Sequence, residues 1–461
     1  MMRIYTPVTI VFVALVQLAG CAGSAVRVTS AAPAPVAPPL VTAEGAGSAD
    51  ADAVLYRAAL GARRNTPGNR ALLDAVRRSI HHATFVAGNR VTPYHDGPAI
   101  FAAYGAAIQE ARHHVHVETY IFADDSLGRS FADLLMAKRE EGVEVRVLYD
   151  AFGSLSSDES LFRAMTAAGV EVEAYHPVET VDDVVSGRFQ QRDHRKLLIV
   201  DGKTAFVGGV NISGTYNSSA TVKRDTEDAL KDGWRDTQVR IEGPVVQQFQ
   251  AQFFAAWAAA GGEAPGPDLR YMPDNVPVGT ALVAAVVSNP ADEETAIHGT
   301  YLAAFTHARS RLWITQPYFL PDESLKHALL DAARRGVDVR ILLPSVSDSV
   351  LTANASRTLF SELLDAGVRL YLYEAGFIHA KIAVIDDGLS MIGSSNLDLR
   401  SLVHNNEITA VIVDGHFADR MSRVFRVDLE RASRLKTEKL MQRTMLQRLK
   451  ERAAALLWFW I

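Results

Sequence analysis

The stretch that decides the fold is Arg192-Asp193-His194-Arg195-Lys196-Leu197-Leu198-Ile199-Val200-Asp201-Gly202, which continues to Gly208-Gly209-Val210-Asn211. Its polar skeleton recurs in the second half of the chain as His379-Ala380-Lys381, Asp386 and Gly393-Ser394-Ser395-Asn396. The histidine, lysine, aspartate and asparagine of the second copy follow those of the first at one constant interval. Two unrelated hairpins with chance histidines would not keep this register, so the pattern indicates a duplicated structural unit.

Each copy predicts a buried β-hairpin with its functional side chains on one face. In the first copy, apolar residues at 197–200 and 205–207 flank Asp201-Gly202, a pair typical of tight turns. Side chains alternate along a strand, so His194 and Lys196 share a face while Arg195 lies on the other. Asp201 has the opposite parity and lies at the turn, which favours a bracing role over a place in the pocket.

The shared face suits chemistry on a phosphate. A histidine beside a lysine supplies a nucleophile or proton donor next to a fixed positive charge, which stabilises a phosphate whose negative charge grows in the transition state. The small residues before Asn211 would let amide donors approach the phosphate closely. Together with the second copy, this gives a predicted phosphate-binding set of Asn211, Asn396 and Ser394.

The two signatures resemble those of the phospholipase D superfamily, most closely its bacterial cardiolipin synthase branch, from about Gly88 to the C-terminus. The resemblance implies an α/β fold of two pseudosymmetric lobes, each a mixed β-sheet flanked by helices, with the active site at the lobe interface. It also implies a covalent phosphohistidine intermediate, with no metal and no other cofactor. The catalytic set that it implies is His194, Lys196, Asp201, His379, Lys381 and Asp386.

One position departs from the family pattern. Gly209 stands where the family usually has a serine, whereas Ser394 keeps that serine in the second copy. Cardiolipin synthases commonly have this asymmetry, so the departure favours that branch over the general phospholipases.

Two acids downstream of the signatures are candidates to orient the histidines. Asp236 follows the first copy in Trp234-Arg235-Asp236-Thr237, and Glu407 follows the second in Asn405-Asn406-Glu407. The resemblance implies that these acids hydrogen-bond ring nitrogens of the catalytic histidines, where an acid fixes the tautomer and stabilises the positive charge. A surface ion pair would explain either acid alone, but both precede apolar strands, which favours the orienting role.

At 461 residues the chain exceeds one ordinary domain, and its repeats divide it into two lobes. Strand and helix patterns alternate in each half, and Glu141-Gly142-Val143-Glu144-Val145-Arg146 corresponds to Arg335-Gly336-Val337-Asp338-Val339-Arg340. We predict one phospholipase D-like lobe over 85–265 and a second over 266–430. A hydrophobic content of 48% indicates a globular chain, and the net charge of −6 argues against a nucleic-acid partner.

The N-terminus predicts export and lipid attachment. Residues 1–21 contain an apolar run from Val8 to Leu18, too short to span a bilayer comfortably, and then Leu18-Ala19-Gly20-Cys21. This last stretch matches the bacterial lipobox, so we predict a lipoprotein signal peptide and lipidation of Cys21. An ordinary signal peptide with an incidental cysteine is the alternative. Residues 22–52 predict a flexible linker rich in Pro and Ala, and 53–84 predict a helical segment.

Two further segments carry polar clusters. His113-His114-Val115-His116 could suggest a metal, but we interpret it as a helix–strand junction. Residues 431–461 form a basic amphipathic tail that ends in Leu456-Leu457-Trp458-Phe459-Trp460-Ile461. A basic helix beside tryptophan is typical of an interfacial membrane segment, and docking of the tail on the lobes is a compatible alternative.

These features predict a phosphatidyltransferase that makes cardiolipin from phosphatidylglycerol, or from phosphatidylglycerol plus another phospholipid, through a phosphatidyl-histidine. The symmetry of the two motifs leaves the roles of the histidines undetermined. The resemblance implies that His194 is the nucleophile and His379 the acid/base. A secreted phospholipase D that releases phosphatidic acid is the first alternative, and a phosphodiesterase or nuclease the second. The expected partners are phospholipids and a membrane surface on the periplasmic side, with inner and outer membrane both open.

Overall fold

The computed structural model describes residues 49–80, 83–177, 191–217, 233–263, 265–266, 268–290 and 294–458. The predicted signal peptide with Cys21, most of the predicted linker and residues 459–461 lie outside the described residues. The described chain begins with two helices, α1 (Ala49–Leu60) and α2 (Pro67–Ser79). Thr66 caps α2, because its side chain accepts a hydrogen bond from the Asn69 amide.

Strands and helices then alternate through the first lobe. Its elements are β1 (Val86–Tyr94), α3 (Gly97–Glu110), β2 (His114–Thr119), α4 (Ser126–Glu140), β3 (Glu144–Asp150), α5 (Glu159–Ala167), β4 (Glu171–Tyr175), β5 (Leu197–Val200), β6 (Thr204–Gly208), β7 (Trp234–Arg235), β8 (Gln238–Glu242) and α6 (Val246–Ala259).

The second lobe repeats this alternation. Its elements are β9 (Ala281–Asn289), β10 (Glu294–Thr295), α7 (Ala296–His307), β11 (Arg311–Thr315), β12 (Phe319–Leu320), α8 (Glu323–Arg334), β13 (Asp338–Pro344), α9 (Val350–Arg357), α10 (Phe360–Asp365), β14 (Arg369–Tyr373), β15 (Phe377–Ile378), β16 (Ile382–Ile385), β17 (Leu389–Gly393), β18 (Leu397–Asp398), β19 (Glu407–Val413), α11 (Gly415–Leu429), β20 (Ala432–Arg434), α12 (Thr437–Met441) and α13 (Met445–Trp458).

The α/β fold with two pseudosymmetric lobes is confirmed. The order β8-β6-β5-β2-β3-β4 in the first lobe corresponds to β19-β17-β16-β11-β13-β14 in the second. Strands β1 and β9 pair antiparallel between the lobes, with Val86 opposite Val283 and Asn89 opposite Ala281. The two lobe sheets therefore join edge to edge into one 16-stranded mixed sheet, which the sequence did not predict.

Each signature forms a hairpin whose turn is held by its aspartate. Strands β5 and β6 pair antiparallel, as do β16 and β17. Asp201 and Asp386 adopt positive φ angles of 53° and 48°, a region that short polar side chains tolerate. The Asp201 carboxylate accepts hydrogen bonds from the amides of residues 112–114, and that of Asp386 from the amides of residues 309–311.

These contacts separate the two aspartates from the histidines. Asp201 follows β5 and His194 precedes it, so they lie at opposite ends of the strand; Asp386 and His379 are arranged in the same way around β16. The resemblance implied that both aspartates belong to the catalytic set. Their position corresponds instead to the bracing role that the strand parity favours, because each ties its turn to the start of β2 or β11.

The N-terminal helices belong to the core of the second lobe. Tyr56 and Leu60 of α1 and Val76 of α2 lie in the same buried cluster as Tyr301 and Phe305 of α7. Helix α2 packs along α7, and α1 reaches β9. This segment therefore covers one face of the sheet where the two lobes meet.

The histidine cluster lies at the start of β2 and is part of the interior. The rings of His114 and His116 stack with centroids 4.5 Å apart. Gln250 of α6 contacts both, with Oε1 3.0 Å from His114 Nε2 and Nε2 2.8 Å from His116 Nδ1. Burial lowers the pKa of His114 to about 4, so its ring stays neutral. Within the described ranges, no three His, Cys, Asp or Glu side chains form a group that could hold a metal ion.

The tail folds back onto the second lobe. Helix α13 packs along α9, and Leu440 and Ala454 are buried against the lobe. The opposite side of α13 keeps Met445, Leu449 and Leu456 at 89%, 65% and 74% exposure. None of the helices among the described residues is long and apolar enough to cross a bilayer.

Candidate active site

Short parallel pairings between the lobes position both histidines. In one, β15 lies beside β7, and the His379 amide donates to the Arg235 carbonyl oxygen at 2.8 Å. In the other, Asp193 pairs with Asn406, and the His194 amide donates to the Asn406 carbonyl oxygen at 3.0 Å. Each histidine therefore lies beside the backbone residue that directly precedes a candidate acid of the other lobe.

The side chains complete two crossed pairs. The Nδ1 atom of His194 lies 2.8 Å from Glu407 Oε1, and that of His379 lies 2.8 Å from Asp236 Oδ2. Both acids are almost fully buried, with 0% exposure for Glu407 and 3% for Asp236. We assign a proton to each Nδ1, because a carboxylate accepts, and this leaves Nε2 as the reactive nitrogen. The sequence indicated both acids, but it did not indicate that the histidines exchange them between lobes.

The two motif lysines lie beside their own histidines in different ways. Lys196 Nζ donates to the His194 carbonyl oxygen at 2.5 Å and lies 5.1 Å from the centre of the Tyr120 ring. Lys381 Nζ donates to the His379 carbonyl oxygen at 2.6 Å and lies 2.9 Å from His379 Nε2. Burial lowers the pKa of Lys196 to about 7 and that of Lys381 to about 8, although Asp236 and Glu407 oppose this effect.

Burial and charge keep both imidazoles neutral at pH 7. Burial lowers the pKa of His194 to about 4; Glu407 opposes the shift, and Lys196 and Lys381 add to it. Burial and then Lys381 lower the pKa of His379 to about 3, against the opposing effect of its partner carboxylate. The Lys196 ammonium also contributes to the shift of His379, so the lysine of each copy acts on the histidine of the other. The two signatures therefore share one site.

The serine–glycine asymmetry has a geometric reason. The Ser394 hydroxyl donates a short hydrogen bond to Glu407 Oε2 and accepts one from the Ile408 amide at 3.0 Å. At the equivalent position, a Cβ on Gly209 would lie 2.4 Å from Asp236 Oδ1. Glu407 therefore reaches its histidine with the Ser394 side chain in contact with its carboxylate. Asp236 instead occupies the space that a side chain at Gly209 would fill. Because the Ser394 hydroxyl is engaged by Glu407, we do not place it among the phosphate ligands.

The two motif asparagines also differ. Asn211 Oδ1 accepts a hydrogen bond from the Ile121 amide at 3.1 Å, and its Nδ2 donates to the Tyr216 hydroxyl at 2.8 Å. Asn396 Oδ1 is buried and has no hydrogen-bond partner among the described residues. Sequence symmetry predicted one phosphate-binding role for both. Asn211 therefore holds the loop after β2 in place, whereas the side-chain oxygen of Asn396 is free to accept a further hydrogen bond.

Among the described residues, more aromatic rings lie against His379 than against His194. Four of these rings have centroids within 6.2 Å of His379, and they belong to Tyr216, Trp234, Tyr318 and Phe377. His194 has Tyr120 at 5.0 Å. The sequence motifs alone do not assign these rings to the site. A signal was present, because Phe377 stands two residues before His379 and Trp234 two residues before Asp236, on the same strand faces.

Two lobes that each contribute a histidine, a lysine and the acid for the opposite histidine define a protein of the phospholipase D type. The family model described as cardiolipin synthase, PLD-like domain, matches residues 104–257 and 301–429. The chain belongs to this cardiolipin synthase family of the phospholipase D superfamily.

Individual relatives and one solved structure agree with this assignment. The chain is 38% identical over 374 residues to cardiolipin synthase A of Pseudomonas putida, covering 81% of this chain and 75% of that protein. It is 36% identical over 365 residues to cardiolipin synthase 2 of Bacillus anthracis, covering 78% of this chain and 69% of the relative. The fold resembles phosphatidylserine synthase of Haemophilus influenzae, with a TM-score of 0.64 at 14% identity over 86% of this chain and 100% of that one.

Proposed function

We propose that the protein is a phosphatidyltransferase that makes cardiolipin from phosphatidylglycerol, or from phosphatidylglycerol and a second phospholipid. The observation that carries this proposal is the crossed arrangement of two histidines, each bonded through Nδ1 to a buried acid of the other lobe. Such an arrangement aims two Nε2 atoms and two lysine ammonium groups at one phosphate. The relatives that are named cardiolipin synthases support the choice of lipid substrates.

In the first half-reaction, His194 Nε2 attacks the phosphorus of the donor lipid. The phosphorus–nitrogen bond forms as the bond from phosphorus to the oxygen of the head-group glycerol breaks, and His379 gives its Nε2 proton to that oxygen. The anionic phosphodiester raises the pKa of the imidazoles around it, which favours the protonated His379 that this step needs. The ammonium groups of Lys196 and Lys381 stabilise the phosphoryl oxygens.

In the second half-reaction, the acceptor replaces the departed glycerol. His379 takes the proton of a head-group hydroxyl, the hydroxyl oxygen attacks phosphorus, and the bond to His194 breaks. His194 returns to its neutral form, and His379 is protonated again for the next turnover. We assign the acid/base role to His379 by its resemblance to the family pattern; Lys381 Nζ lies 2.8 Å from its Nδ1 and 2.9 Å from its Nε2.

The two alternatives use the same residues and differ in the acceptor. Water as acceptor gives a phospholipase D, and a nucleic-acid diester as donor gives a nuclease, for which a net charge of −6 is unfavourable. Positioning of the acceptor hydroxyl can contribute about 7–11 kcal/mol of effective concentration, enough for a bound lipid to compete with bulk water.

The test uses labelled phosphatidylglycerol in vesicles. We expect cardiolipin and free glycerol as the main products, and no turnover by the His194→Ala variant. If phosphatidic acid dominates even with acceptor lipid in excess, the protein is a phospholipase D and the transferase proposal fails.

The membrane attachment is part of the same proposal. The lipobox supports a lipoprotein anchored through Cys21 on the periplasmic side of a membrane. The exposed apolar residues of α13 stand beside the cations Arg448, Lys450 and Arg452, a combination that suits an anionic lipid surface. Replacement of Cys21 by alanine should block lipidation and change the mobility of the processed protein. An unlipidated N-terminus in the wild-type protein would contradict the anchor.

A further inference from the structure

A groove of about 790 Å³ lies on the second lobe outside the catalytic residues. Helix α9 forms one wall, the carboxyl ends of β13 and β14 form the floor, and the C-terminal segment from β20 to α13 closes the other side. Its volume is typical of sites that enclose a small molecule or one part of a larger one, about 300–1,000 Å³. The family match ends at residue 429, so the segment that closes the groove lies beyond the matched domains.

The floor and the rim of the groove differ in polarity. Most of the nearly buried side chains that form the floor are apolar, and they are Phe319, Leu343, Phe360, Leu435 and Leu440. Ser356 and Glu451 are nearly buried polar residues of the same lining, and Arg443 Nη1 lies 2.7 Å from Glu451 Oε2. The outer edge carries exposed polar and charged groups, among them Arg357, Gln447 and Lys450. An apolar floor under a wet, charged edge fits an amphiphile whose hydrocarbon part is covered and whose polar part stays in water.

One end of the groove lies next to the candidate active site. Pro317 and Phe319 line it, and between them Tyr318 turns towards the site, with its ring centroid 6.2 Å from that of His379. The Tyr318 hydroxyl donates to the Asp348 carboxylate at 2.7 Å. Asp348 belongs to the loop after β13, whose residues 345–347 also line the groove. One end of the groove therefore lies beside Tyr318, whose ring contacts the second histidine.

We infer that this groove holds an acyl chain of a phospholipid whose phosphodiester lies at the paired histidines. The inference rests on the proposed function and extends it to the part of the substrate that does not react. The exposed apolar side of α13 supports this occupant, because a helix resting on a bilayer would bring the groove it closes to the lipid surface. A chain could then pass from the bilayer to the groove with little contact with water.

The test compares long and short acyl chains in a variant with a filled groove. Ala353 of α9 lines the groove and is half-buried, so Ala353→Trp places a large ring in the path of the chain. The matched control is Ala102→Trp, on the exposed side of α3 in the other lobe. We measure kcat/KM for total consumption of dihexadecanoyl and dihexanoyl phosphatidylglycerol in mixed micelles. The ratio of the long-chain to the short-chain value should fall at least tenfold in Ala353→Trp and stay within twofold of the wild-type ratio in the control.

Three measurements keep the outcome decisive. Circular dichroism and the melting temperature establish that Ala353→Trp is folded, and Val350→Trp at the exposed edge of the groove serves as a second variant. Binding of pyrene-labelled phosphatidylglycerol to the variants in a His194→Ala background reports chain occupancy without turnover. An unchanged ratio together with unchanged binding would overturn the inference, as would an equal loss for both chain lengths. Because consumption is counted whatever the product, formation of phosphatidic acid would refute the transferase and leave the groove result standing.

Discussion

The replacement of Gly209 by serine is the most direct test of how the site is built. A Cβ at this position would lie 2.4 Å and 2.5 Å from the two Asp236 carboxylate oxygens and 2.8 Å from the carboxylate carbon. Unstrained contacts between such atoms begin at about 3.4 Å, so the carboxylate must retreat by about 1 Å. The hydrogen bond to His379 Nδ1 is 2.8 Å long, and a retreat of that size breaks it.

The expected loss follows from what the bond does. A misplacement of about 1 Å costs about 10²-fold in rate, and complete loss of an orienting carboxylate costs about 10⁴-fold. We therefore expect kcat for cardiolipin formation to fall between these limits in Gly209→Ser. The rate is measured with labelled phosphatidylglycerol vesicles. Gly105→Ala is the control, because a Cβ on this glycine of α3 meets nothing within 4 Å.

A compensating change tests whether the position of the Asp236 carboxylate depends on Gly209. Gly209→Ser combined with Asp236→Glu gives the first copy the serine–glutamate pair that Ser394 and Glu407 form in the second. We expect kcat of the double variant to be at least tenfold higher than that of Gly209→Ser. Full activity of the folded single variant, or a double variant no better than the single one, would show that the carboxylate does not depend on this glycine.

Three further outcomes follow from the site. Replacement of either His194 or His379 by alanine should remove nearly all activity, because each half-reaction uses both rings; substantial residual turnover in either variant would refute the shared site. Glu407→Gln should keep the melting temperature within a few degrees and lower kcat about 10²–10⁴-fold, and an unchanged kcat would contradict its orienting role. The profile of kcat/KM against pH should fall on the acid side near pH 4, where His194 becomes protonated. It should also fall as pH rises through about 7 to 8, because the lowered pKa values of Lys196 and Lys381 mean that their charges are lost there; a flat profile up to pH 9 would contradict this.

Local sequence patterns predict much of the fold and most of the residues of the candidate site. Alternation and turn chemistry predict the hairpins around 197–207 and 382–393, and repetition predicts the two lobes. The acid partner of each histidine could not be predicted, because no local sequence feature indicates whether His194 pairs with Asp236 or with Glu407. That choice is made by backbone pairing between lobes, which depends on contacts far apart in sequence. The union of the lobe sheets through β1 and β9 escaped prediction for the same reason.

The different roles of Asn211 and Asn396 were also out of reach. Their motifs match, but the Ile121 amide in the first lobe donates to Asn211 Oδ1, while Asn396 Oδ1 has no hydrogen-bond partner among the described residues. A repeat in sequence therefore guarantees an equivalent place in the fold, but not an equivalent set of hydrogen bonds. Only the neighbours of each copy decide which asparagine has a donor or acceptor left for substrate.

The exchange of acids between the lobes has a consequence for symmetry. A chain with one lobe alone would hold a histidine and an acid that cannot meet, unless two such chains faced each other. A symmetric pair of identical subunits would satisfy both histidines at once, because the same contact is made twice about a two-fold axis. The duplicated chain makes both contacts within one molecule. Its halves therefore need not be identical, and they position their acids with a glycine–aspartate pair in one lobe and a serine–glutamate pair in the other.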